Sequence, residues 1–204
     1  MSLVKLIAQA DERGLAASGL ACLDRCLPLL AEEPDVLRPL WAGIVDGEQD
    51  WSVRLAAARV ALYHAVDEEP AENVTTALVR TMLGSAPSQW SAEPLRLWAD
   101  TCSVVALEIH RTFDAVSEDG SDAAAERLAR CREDTAEVAD AVDGAEGAYG
   151  VGPLVAGELR RQIRILEILA ETPGAPGLRL AMDHSTEGQR VLRAVVSRRA
   201  RAES

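Results

Sequence analysis

An all-α fold follows from three features of this 204-residue chain. Hydrophobic residues make up 48% of it while Phe, Trp and Tyr supply only 3%, so packing must rest on Ala, Leu and Val, which suits close-packed helices better than sheets. Apolar residues recur at three- and four-residue steps through most of the chain. Clusters of Gly, Pro and acidic residues then divide these periodic runs as helix ends do. The length suits one domain, residues 1–204, with a core that needs no staples. We expect helical hairpins in residues 1–116 and a cap of C-terminal helices in residues 117–204.

The first helix is expected over residues 3–10, with Leu3, Leu6, Ile7 and Ala10 on one face and a break at Asp11-Glu12-Arg13-Gly14. Residues 15–30 form a strongly apolar run in which Pro28 should kink or end the helix, because proline removes a helix hydrogen bond. Residues 36–45 carry Val36, Leu37, Leu40, Trp41, Ile44 and Val45 at helical spacing. Gly47 suits the end of that helix and Asp50 the cap of the next. In the following helix, Val53, Ala56, Ala57, Val60 and His64 recur at helical steps, as do Leu55, Leu62 and Val66, and His64 is assigned to the inward side. A new start is expected at Asp67-Glu68-Glu69-Pro70, then a stripe of Val74, Leu78, Val79, Met82 and Leu83, a loop over 84–91, and a long helix from Ser91 to Phe113. Ser121 can cap a mostly polar helix over 122–142. The Gly-rich stretch 143–152 reads as a loop, since a phosphate-binding turn would need a preceding strand and a different glycine order. Residues 153–172 form a clear amphipathic helix, ended by Pro173-Gly174-Ala175-Pro176-Gly177. A short extended piece over 178–182 and a last helix over 187–199, with Thr186 and Gln189 at capping-box spacing, complete the chain.

The pair of helices over residues 36–66 resembles a HEAT repeat. Leu37, Pro39, Leu40 and Trp41 match the Leu-x-Pro-Leu-Leu of that family's first helix. Asp50-Trp51-Ser52-Val53-Arg54, followed by Ala57 and Ala61, matches the Asp-x-x-Val-Arg start of its alanine-rich second helix. The resemblance implies stacked antiparallel hairpins, an α-solenoid or superhelix, with the Arg tying carbonyls or an Asp across a helix boundary. It also implies a role in binding other proteins or peptides.

Charge excludes several functions. The chain carries a net −12. Residues 1–154 hold 12 basic against 27 acidic residues, and residues 155–204 hold 9 against 6. An acidic body repels phosphate backbones, so nucleic-acid binding is not expected, including that of HEAT-like DNA glycosylases, which depend on a basic groove. A basic partner would be steered toward it. Twenty of the basic residues are Arg, a skew that fits a GC-rich bacterial coding sequence. The single lysine, Lys5, serves neither a Walker A loop nor a pyridoxal Schiff base. There is no leader pattern and no run of eighteen apolar residues, so a cytoplasmic setting with no membrane contact is expected. Cys22, Cys26, Cys102 and Cys131 then read as free thiols; Cys22 and Cys26 could supply two metal ligands, but nothing completes the set, and no metal or cofactor is assigned.

Candidate site residues are few. Trp51 and Trp90 fall in or beside turns, where an exposed tryptophan is a common interface anchor, and with Arg54 they are the expected partner-binding residues. His110 and Asp114 lie one turn apart, a spacing that could pair a base with its orienting carboxylate. The functional expectation is a non-catalytic module that binds a protein or peptide. The alternative is a small helical enzyme or ligand-binding protein of secondary metabolism with a pocket near His64, His110 and Asp114.

Overall fold

The structure, a computed structural model, describes residues 2–30, 36–66, 74–114, 121–135 and 151–202. Every regular element among them is helical, as expected: α1 (Leu3–Gln9), α2 (Glu12–Cys26), a 3₁₀ turn (Leu27–Leu29), α3 (Arg38–Asp46), α4 (Trp51–Val66), α5 (Val74–Gly84), α6 (Ala92–Phe113), α7 (Ser121–Glu133), α8 (Pro153–Glu171) and α9 (Ala175–Ala202). No described helix is long and apolar enough to cross a membrane.

Helix α2 is the centre. The Asp11 carboxylate accepts the Gly14 N–H at 2.7 Å and caps its start, as short polar side chains do at a helix N-terminus. It ends at Cys26, and Pro28 stands in the 3₁₀ turn that follows. Every residue from Gly14 to Cys26 is buried. The reason lies in its small side chains. Ala16, Ala17, Gly19 and Ala21 let neighbours approach on all sides, and α6, α9, α3 and α8 pack against it. At Gly19 an added Cβ would lie 2.8 Å from Cε3 of Trp98 on α6. The Trp98 indole N–H donates to the Met82 carbonyl at 2.9 Å, which fixes the ring and fastens α5 to α6.

Helices α3 and α4 pack on each other, joined by a turn in which Gly47 adopts φ 80° and Asp50 φ 65°. Gly47 ends α3 as its left-handed preference predicts. Which side of α4 faces inward differs from the sequence expectation. Trp51, Leu55, Ala58 and Leu62 are buried, whereas Val53 is 67% and Val60 59% exposed. Both sides are apolar, so periodicity alone does not choose between them.

The C-terminal end corrects a second expectation. Residues 178–182 are not extended and residues 186–189 are not a helix start, because α9 runs unbroken from Ala175 to Ala202. Thr186 Oγ1 donates to the Met182 carbonyl one turn back. Proline is tolerated in a first helical turn, where its missing N–H has no intrahelical partner to lose. The Pro-Gly run therefore separates α8 from α9 within three residues. Arg199 reaches back from α9 to donate to the Thr112 carbonyl at 3.0 Å and lies over the Phe113 ring, 5.4 Å from its centroid. The expected helix start at 67–70, the turn at 117–120, the end of the helix expected over 122–142 and the Gly-rich stretch 143–150 lie outside the described residues.

The close approach at Gly19 sets a test of the core. Gly19→Ala forces Trp98 to move against α2, and overpacking of this kind costs about 1–3 kcal/mol. Urea denaturation should show a lower midpoint with an unchanged slope.

Candidate functional site

The sequence-assigned residues fall in different places. Trp51 is not an exposed anchor: it is 1% exposed, its N–H donates to the Pro87 carbonyl at 2.8 Å, and its ring meets Trp90 and Trp98 edge-on at 5.3 and 6.0 Å. A large aromatic at the start of a helix had more to gain by filling the space between α4, α6 and the loop after α5 than by facing water. Trp90 is half-buried against that cluster. Arg54 donates to the Pro39 carbonyl at 3.2 Å and to Asp46 at 3.0 Å, so it ties α4 to its own partner α3. The His64 side chain lies outside the described residues.

His110 and Asp114 each face other groups. The Asp114 carboxylate accepts the Leu154 and Val155 N–H groups at 2.9 and 3.0 Å, which caps α8 at the end where the helix dipole favours negative charge. Gly152 is required there, since a Cβ would collide with the Asp114 carboxyl. The carboxylate that faces His110 is that of Glu158: Nε2 stands 3.7 Å from Glu158 Oε2, and the ring's Nδ1 bonds the Ala106 carbonyl at 2.7 Å.

Glu158 belongs to a buried polar cluster that the periodic reading passed over. Arg25 Nε and Nη2 donate to its two oxygens at 2.8 and 2.6 Å, and both side chains are fully buried. Gln162, one turn along α8, donates to Glu158 at 2.9 Å and accepts from the Ser103 hydroxyl at 2.6 Å. Arg132 donates to Ser103 at 3.2 Å and pairs with Asp100. Burial alone would raise the Glu158 carboxyl, but Arg25, His110 and the hydrogen bonds from Arg25 and Gln162 more than offset it and hold the group at about 2. Two buried nitrogens, Arg25 Nη1 and His110 Nε2, have no hydrogen-bond partner. A signal for the cluster was present in the sequence. Glu158 and Gln162 fall on the same stripe as Val155, Leu159 and Leu166, where an exposed helix face would not put them.

The thiols are buried and free, as expected. Burial pushes Cys22 up to about 12, against the pull of Arg25, and raises Cys26 and Cys102 as well, which disfavours their thiolate forms. Among the described residues no group of three or more His, Cys, Asp or Glu is placed to hold a metal ion.

A cleft of about 310 Å³ opens between α2, α3 and α9, with Asp24, Trp41 and Gln189 on its walls. Asp24 is 6% exposed. Its Oδ2 accepts the Ser185 hydroxyl and its Oδ1 the Gln189 amide, both at 2.8 Å. Burial pushes its carboxyl up to about 6, although the Ser185 hydroxyl and the nearby Arg25 charge pull the other way. The chain matches no protein-family model, no curated protein and no solved structure.

The two buried acids titrate with opposite effect. Glu158 is held below its ordinary value of 4.5, so the stability it contributes is complete above that pH and is lost as pH falls toward 2. Glu158→Gln leaves Arg25 buried without its counter-charge, which should cost about 3–5 kcal/mol at neutral pH. Asp24 is raised from 3.8 to about 6, so the folded chain binds the proton more tightly and stability falls as pH rises between those values. Asp24→Asn should therefore stabilise the fold at pH 7 by about 1–3 kcal/mol, with the gain vanishing below about pH 4. Chemical denaturation across pH 3–8 checks both signs.

Proposed function

We propose that this chain is a non-catalytic helical module that binds another protein or peptide, with α3 and α4 acting as a HEAT-like hairpin and α4 supplying the contact. The observation that carries this reading is the outward side of α4. Val53, Ala56, Ala57, Val60 and Ala61 are exposed there, with no charge among them. The inward side of the same helix is apolar as well. A surface helix of a single domain has one apolar stripe and a polar back. Helix α4 has the composition of a helix covered on both sides, as stacked hairpins are. The contact therefore passes from Trp51 and Arg54, which serve the fold, to the valines and alanines beside them.

Small side chains admit a close partner helix, and the acidic surface of residues 1–154 steers a basic one. A reducing cytoplasm, where four free thiols persist, is the setting this reading assumes.

The double variant Val53→Glu, Val60→Glu tests it. Both positions are exposed, so stability should stay within about 0.5 kcal/mol of the parent. Capture of the partner from lysate of the source organism should fall at least tenfold, since two buried charges oppose the contact. Equal capture by parent and variant would sink the reading.

A further inference from the structure

We propose that the face shared by α1 and α6 is a self-association surface. A second copy of this chain docks there about a twofold axis, with Arg96 of each copy against Glu93 of the other and the two Leu97 side chains over the groove beside them. That groove, of about 430 Å³, runs between the two helices. Val4, Ile7 and Ala8 give it an apolar wall on α1, and Leu97 lines it from α6. Leu97 is 70% exposed, and Val104, two turns along the same side of α6, is 41% exposed.

Two charged groups of this groove are unclaimed. Among the described residues, Arg96 and Glu93 form no hydrogen bond or ion pair with each other or with any other group. Arg96 is the more demanding of the two, because its Nε is buried and has no acceptor. A buried donor on a charged group calls for a partner, preferably a charged one. The remaining acid of the groove, Asp100, is already paired with Arg132 of α7.

The occupant follows from the composition of the patch. In a twofold contact one surface serves both partners, so it must carry both halves of each complement. This one does: an unpaired cation and an unpaired anion lie three residues apart on one helix, and a projecting leucine lies beside an apolar groove. Two antiparallel α6 helices with the axis between positions 94 and 95 set Arg96 opposite Glu93 on both sides at once. A purely basic partner would satisfy Glu93 and leave Arg96 unserved; a purely acidic one would do the reverse. Each copy carries a net −12, but repulsion between distant charges is screened beyond about 8 Å at physiological ionic strength, whereas the facing charges are opposite in sign. The contact proposed for α4 uses other helices and stands or falls separately.

The test is sedimentation equilibrium of the full chain from about 1 to 200 μM in about 0.15 M salt, a range that captures micromolar affinity. A monomer–dimer equilibrium should appear. Leu97→Glu replaces an exposed side chain, so it should leave the urea midpoint unchanged and weaken the dimer at least tenfold. Arg96→Glu and Glu93→Arg should each weaken it by a similar factor, since like charges then face each other. The double variant Arg96→Glu, Glu93→Arg should recover affinity to within about threefold of the parent, which a merely structural role for either residue would not produce. A chain that stays monomeric to the highest concentration overturns the proposal. So does a dimer that Leu97→Glu leaves intact, or a double variant no tighter than the single reversals.

Discussion

The buried pair of Arg25 and Glu158 is the constraint from which the rest of the arrangement follows. Each ion alone would cost several kcal/mol to desolvate, and only a close, fully bonded geometry offsets that cost. The pair meets that condition with two contacts of 2.8 and 2.6 Å, plus Gln162 on one carboxylate oxygen and Cys22 Sγ accepting from the guanidinium at 3.4 Å. Meeting it ties the register of α2 to that of α8. In a core made largely of Ala, Leu and Val, apolar packing alone accepts many arrangements. A charge that must find its partner selects among them. The selection extends to α9, because a side chain at Gly188 would collide with the Arg25 stem.

Asp24 and Arg25 are consecutive, so they leave α2 in different directions. Arg25 turns to α8 and finds a full charge; Asp24 turns to α9 and finds an amide and a hydroxyl. One helix step thus separates a stabilising ion from a destabilising one. Glu158 is held low and Asp24 pushed high for the same reason applied with opposite sign: burial penalises each, and only one has a cation in contact.

Much of the fold was legible in the sequence. The expected helix over 153–172 appears as Pro153–Glu171, and that over 3–10 as Leu3–Gln9, because each has a single apolar stripe with a proline or polar residue at its boundary. Where the stripe is doubled, as on α4, the pattern names a helix but not its inner side, and Trp51 was misplaced with it. Helix α9 was cut short because Pro176 and Gly177 read as breakers, although proline is harmless in a first turn and Gly177 sits where any Cβ would strike the Thr172 carbonyl. The polar cluster was the least legible part. Arg25, Ser103 and Glu158 come from three helices far apart in the chain, and no local spacing announces that they meet. The likeness of residues 36–66 to a HEAT unit speaks for one pair of helices. Around it, α2 packs against α9, which is remote in sequence, whereas stacked repeats touch their neighbours.

The buried carboxylates can be ranked by what each receives. Glu158 has a guanidinium on both oxygens and an amide besides. Asp114 has two backbone N–H groups at a helix N-terminus, where partial positive charge is built into the peptide dipoles. Asp24 has neutral donors, the Ser185 hydroxyl and the Gln189 amide, with the Trp41 indole beside it. The first two explain themselves as structure: each joins elements that would otherwise leave polar groups unpaired. Asp24 joins α2 to α9 through Ser185 and Gln189; an asparagine keeps the bond from Gln189 through its one carbonyl oxygen but has to donate, not accept, at the Ser185 hydroxyl. What the carboxylate adds over the amide is negative charge at the wall of a cleft, at a cost to folding.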